Sequence, residues 1–145
     1  MSLEYEAWCP EEPKLAPVTR VASLVMRAAL AVDQIEVVPS QPGELWRFDW
    51  GGAAFAQVSV MGPQYAEIPG WWTLWAEQGE RGGKLHALLS LVIVASAAVV
   101  YGGIVVDETG RLRERKNDPF DVILSLLRSG KRGHEDLLRI LVRDA

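Results

Sequence analysis

Residues 85–106 read LHALLSLVIVASAAVVYGGIVV, without a single Asp, Glu, Lys or Arg. A transmembrane helix needs about 20 mostly apolar residues, so the length suits an anchor. Arg81 and Lys84 before the run, with Asp107 and Glu108 after it, match the charge asymmetry of one. The composition points elsewhere. Gly102 and Gly103 interrupt the run between Tyr101 and the β-branched Ile104, Val105 and Val106, and glycine weakens a helix where β-branched residues favour a strand. The pattern predicts two water-excluded pieces of a soluble fold: a helix over about 84–98 and a strand over about 100–106. The helical piece is too short to span a bilayer. Residues 107–110 form a turn, and residues 111–115 are a possible partner strand.

A chain of 145 residues can bury one core without disulfides or metals. With 49% hydrophobic residues and a net charge of −4 it reads as one globular domain, and the acidic balance argues against general nucleic-acid binding. The charge is uneven: residues 111–145 hold nine Lys or Arg and six Asp or Glu, a local +3, which leaves −7 on residues 1–110. Mixed signs in the C-terminal part suit a solvated helical face rather than a nucleic-acid or lipid arm. Cys9 has no second cysteine to pair with, which is compatible with a reducing compartment. The acidic start MSLEYEAWCPEEP lacks the basic and apolar regions of a signal peptide, so the expected location is the cytoplasm.

Elsewhere the periodicity is readable. Residues 2–8 alternate as a strand, and Val18, Val21, Leu24, Val25, Ala28 and Val32 recur at helical spacing, with Pro17 in the first turn. Residues 35–38 form a short strand. Residues 44–50 and 53–60 read as a hairpin closed by Gly51-Gly52, and residues 71–77 as a further strand. Near the end Pro119 opens a helix capped by Asn117 or Asp118, with Phe120, Ile123, Leu124 and Leu127 as its apolar stripe; a last helix over about 133–143 buries Leu137, Leu138 and Leu141. The sum is a single α+β domain, an antiparallel or mixed sheet of about five to six strands packed with about four helices.

Catalytic motifs are scarce. His86 and His134 stand 48 residues apart without the companions a metal site needs. Neither a metal nor a cofactor is expected, because the glycine tracts at 51–52, 79–83 and 102–103 lack the spacing and lysine of a phosphate cradle. Cys9 reads as a small buried residue. Asp49, Glu67, Glu77, Asp107 and Glu108 could pair as acid and base, but all sit at turns or strand ends where solvated carboxylates are common. The unusual feature is tryptophan: Trp8, Trp46, Trp50, Trp71, Trp72 and Trp75. Aromatic side chains fill small cores; with a nearby arginine they also mark protein interfaces or ligand platforms. The candidate interface or pocket residues are therefore Trp46, Arg47, Asp49, Trp50, Trp71 and Trp75.

SLEYEAW, the amphipathic helix after it, the aromatic hairpins and an apolar helix running into YGGIVVDETG together resemble small bacterial immunity proteins of polymorphic or contact-dependent toxins. The resemblance implies a cytoplasmic α+β protein that binds and blocks one cognate toxin; the acidic composition and the divided apolar run separately argue against nucleic-acid and membrane partners. Such proteins diversify at the contact surface, so no binding residues carry over. The alternative is a small enzyme or ligand-binding domain with a tryptophan-lined pocket.

Overall fold

Alternation of apolar and polar side chains builds most of the sheet. A computed structural model describes residues 3–30, 36–40, 45–51, 54–78, 83–110, 112 and 114–128. Its strands are β1 (Leu3–Cys9), β2 (Val37–Ser40), β3 (Leu45–Trp50), β4 (Ala54–Met61), β5 (Trp72–Gln78), β6 (Ile104–Asp107) and β7 (Lys116–Asn117), with helices α1 (Leu15–Leu30), α2 (Gly83–Tyr101) and α3 (Pro119–Arg128). The strands form one sheet in the order β2-β3-β4-β5-β1-β6-β7, and every pairing is antiparallel. The α+β class holds, with seven strands among the described residues instead of five or six. Three helices lie among the described residues, and the one expected over 133–143 falls outside them. β1 is inserted between β5 and β6, so the centre of the sheet joins residues far apart in sequence.

One face of the sheet carries the core. Tyr5, Ala7 and Cys9 of β1, Trp46, Phe48 and Trp50 of β3, Ala54, Ala56 and Val58 of β4, and Leu74 and Ala76 of β5 join one buried cluster with residues of all three helices. The uncharged run is its hub. α2 packs across β1, β4, β5 and β6 on one side and against α1 and α3 on the other, which leaves residues 87–98 buried on every side. A helix surrounded by its own chain needs no polar stripe. Among the described residues no helix is long and apolar enough to cross a membrane.

The helix continues past the expected boundary at 98. Val99, Val100 and Tyr101 are helical and the strand starts at Ile104; packing overrides the strand preference of two valines. The glycines then act separately. Gly102 takes φ +67° after the last helical residue, and the Gly103 N–H donates to the Ala98 carbonyl at 2.7 Å, the closing bond of a Schellman turn. Gly103 passes so close to β1 that a Cβ there would lie 2.0 Å from the Trp8 carbonyl oxygen. The Tyr101 hydroxyl accepts from the Lys14 N–H at 2.8 Å, tying the end of α2 to the start of α1.

Other boundaries shift for identifiable reasons. Of the strand expected at 35–38, Val37 and Val38 lie in β2, which carries on through Pro39 and Ser40 because it is the sheet edge, where a missing N–H costs no ladder bond; residue 35 lies outside the described residues. Ser23 of α1 hydrogen-bonds both the N–H and the carbonyl of Val37, at 3.2 and 3.3 Å. With Val37 engaged and Pro39 lacking a donor, this edge offers little to an added strand. The partner of β6 is β7 at Lys116–Asn117 rather than residues 111–115. Asp107 caps the intervening turn: its buried carboxylate accepts from the Thr109 N–H and hydroxyl and from the Leu112 N–H.

Both amphipathic stripes are rotated from expectation. In α1 the buried residues are Val18, Ala22, Ser23, Val25, Met26 and Ala29, while Leu24 and Ala28 face outward. In α3, capped by Asp118 through the Phe120 N–H at 2.8 Å, the buried residues are Pro119, Val122 and Leu126, and Phe120 is 59% exposed.

Candidate binding surface

The sheet divides the six sequence candidates. Trp46 and Trp50 point under the helices, 5% and 7% exposed. Arg47 and Asp49, between them on β3, point to the opposite, outer face and form an exposed ion pair at 3.6 Å. Trp75 shares that outer face, half-buried beside Glu6 and Ser59 in register on the flanking strands. Trp71 lies just before β5, its N–H donating to the Ile68 carbonyl at 3.2 Å. The candidates are therefore not one constellation: Trp46 and Trp50 hold the core together, Arg47, Asp49 and Trp75 lie on the outer face, and Trp71 stands just before β5.

Two different environments occupy the outer face. Over β3 and β4 it is open, with exposed Leu45 and Phe55 on either side of Arg47 and Asp49. The Arg47 guanidinium lies 4.5 Å from the Phe55 ring centroid, and the same ring meets the His86 imidazole edge-on at 4.8 Å. His86, in the first turn of α2, thus packs against an exposed aromatic residue. Periodicity marked Arg47 and missed Phe55, which sits among the small residues of the hairpin's return strand.

Over β1 and β6 the face is roofed. Trp8 points outward yet is 2% exposed, with Arg115 and Lys116 lying 5.6 and 5.5 Å from its ring. Arg115 binds both Glu67 oxygens, at 2.9 and 3.0 Å, and Glu108 at 2.7 Å. These bonds draw the Glu67 carboxyl below its ordinary range and push the guanidinium further toward its charged form. Glu6, on β1 beside Trp8, titrates at about 7: burial raises it most, the charge and hydrogen bond of Glu108 add to that, and Trp8 and Arg115 pull it back. Of the carboxylates singled out in the sequence, Glu67 and Glu108 meet at one arginine, Asp107 is a turn cap and Asp49 pairs with Arg47; the side chain of Glu77 lies outside the described residues. The sequence does not mark Glu6 and Arg115, because only the β1–β6 pairing brings them together.

A pocket of about 480 Å³ opens at one end of the sheet, where β3 and β5 begin and β4 ends. Trp46, Trp72 and Tyr65 line it, with Glu12, Pro13 and Gln64 from the neighbouring connections. This aromatic set overlaps the sequence candidates only at Trp46.

Cys9 is fully buried, its thiol 3.9 Å from the Ala97 carbonyl and pushed up to about 12 by burial, so it is not a nucleophile at neutral pH. Among the described residues no group of three His, Cys, Asp or Glu side chains is placed to hold a metal ion. The chain matches no family model, no curated protein and no solved structure.

Proposed function

We propose that this chain is a non-catalytic binding domain whose partner is a basic protein, and that the partner sits on the open outer face of β3 and β4. The supporting observation is the group Leu45, Arg47, Asp49 and Phe55. Two apolar side chains stay exposed on a hairpin whose other face is anchored by Trp46, Phe48 and Trp50. Aromatic and arginine side chains on a rigid platform are the groups that concentrate binding energy in protein interfaces. β1 to β6 belong to the part of the chain that carries −7, and a negative field speeds encounter with a basic surface. Neutralising a bacterial toxin is the form of this function to which the sequence resemblance points.

The test is co-purification with the product of the neighbouring gene, followed by calorimetric titration of the wild type and of Arg47→Glu and Phe55→Ser. Binding weakened about tenfold or more by each variant is expected, a typical interface hot-spot effect. Failure to bind that product, or binding indifferent to both substitutions, overturns the assignment.

A second reading, a domain that binds a small ligand, is favoured by the pocket between Trp46, Trp72 and Tyr65. The two readings use different surfaces and do not compete for residues.

A further inference from the structure

We infer that the pocket at the end of the sheet is a site for a small organic cation, an alkylated ammonium held against Trp46, Trp72 and Tyr65 with the carboxylate of Glu12 at its rim. The inference rests on the second reading and is independent of the protein-binding face.

The lining decides the ligand's charge. Three of its side chains are aromatic, and Glu12 is the one that carries a charge at neutral pH. Indole and phenol faces are negative and attract a cation placed within about 6 Å of their centroids. An anion would meet those faces and a carboxylate without a compensating lysine or arginine in the wall. Glu12 already meets the Lys14 ammonium at 3.2 Å, outside the pocket lining, so a bound cation shares or displaces that partner. Both partners are exposed there, so the pair is weak and exchangeable.

The walls are of two kinds, buried and exposed. Trp46 is held by β3 and the core, its ring 6.3 Å from Phe48 in an edge arrangement, and Trp72 begins β5 opposite Cys9 of β1. Tyr65, at the end of the 3-10 turn Pro63–Tyr65, is 58% exposed and forms the outer wall. The volume holds a trimethylammonium head with several further heavy atoms.

Three ligands of nearly one shape separate the possibilities: choline, its neutral isostere 3,3-dimethylbutan-1-ol, and the anion 3,3-dimethylbutanoate. Each is titrated into the whole chain while the indole N–H resonances are followed by NMR, with Trp72→Phe assigning one of them. The expected result is that choline shifts the Trp46 and Trp72 signals and binds about tenfold more tightly than the alcohol, the scale of a partly desolvated cation–π site. The anion is expected not to bind. Glu12→Gln and Tyr65→Ala, both surface changes, are expected to weaken choline several-fold without altering the thermal midpoint. Equal affinity for choline and the alcohol overturns the cation assignment and leaves the pocket as a ligand site. Silence of both indole signals toward all three removes the pocket reading as well.

Discussion

Gly102 and Gly103 are adjacent and identical, yet they serve opposite needs. Gly102 supplies a left-handed backbone with open space around its Cα, so Gly102→Ala is expected to cost about 1 kcal/mol, the strain of φ +67° alone. Gly103 has an ordinary backbone and no room, since a Cβ would press on the Trp8 carbonyl. Gly103→Ala is expected to cost about 3 kcal/mol or more by overpacking. Urea unfolding of the two variants checks the order, and a milder effect at 103 would contradict the close passage of β6 against β1.

Glu6 gives a second residue-level expectation. Its folded pKa of about 7 lies above the ordinary 4.5, so between those values the folded chain holds the proton more tightly than the unfolded one. Its contribution is therefore most favourable at low pH and declines as pH rises from about 4.5 to about 7. Glu6→Gln removes that decline. The variant is expected to be the more stable protein at pH 8 and to lose its advantage near pH 4.5, as thermal midpoints across that range will show. A difference independent of pH would mean that folding does not raise the Glu6 pKa through burial and the neighbouring Glu108.

For whole elements, legibility followed the range of the interactions. The β3–β4 hairpin was readable because Trp46, Phe48 and Trp50 alternate with Arg47 and Asp49 and Gly51 sits at the turn with φ 55°. The end of α2 was displaced because Val99, Val100 and Tyr101 have strand-like chemistry but helical packing partners. In α3 the cap agrees with the sequence but the buried stripe does not: Phe120, Leu124 and Leu127 are more hydrophobic than Pro119 and Val122, yet the latter face α1 and α2. Phe120→Ser is accordingly expected to change stability by about 0.5 kcal/mol or less, whereas Leu126→Ala should cost about 2 to 4 kcal/mol through the cavity it leaves. Equivalent losses would restore the sequence-derived stripe.

At the scale of the molecule, the sheet has two unlike faces. α2 fills the inner one, and the outer one is roofed over β1 and β6 by Arg115, Lys116 and Glu67 but open over β3 and β4. The sequence could reveal that aromatic strands exist; it could not reveal which tryptophans lie under helices, because both faces of β5 carry them. The roof was equally hidden, since Glu6, Glu67, Glu108 and Arg115 converge only through strand order. Of the six candidate residues, Arg47, Asp49 and Trp75 lie on the outer face, Trp71 stands just before β5, and Trp46 and Trp50 belong to the core, Trp46 also lining the pocket.

Hydroxyl-radical footprinting of the chain alone and in complex with the neighbouring gene product tests the binding face most directly, because it reports the solvent exposure of individual side chains. Labelling of Leu45 and Phe55 should fall in the complex while that of Phe120 and Leu124 on α3 stays unchanged. Protection of the α3 residues with Leu45 and Phe55 still fully labelled would place the partner on the opposite side of the molecule.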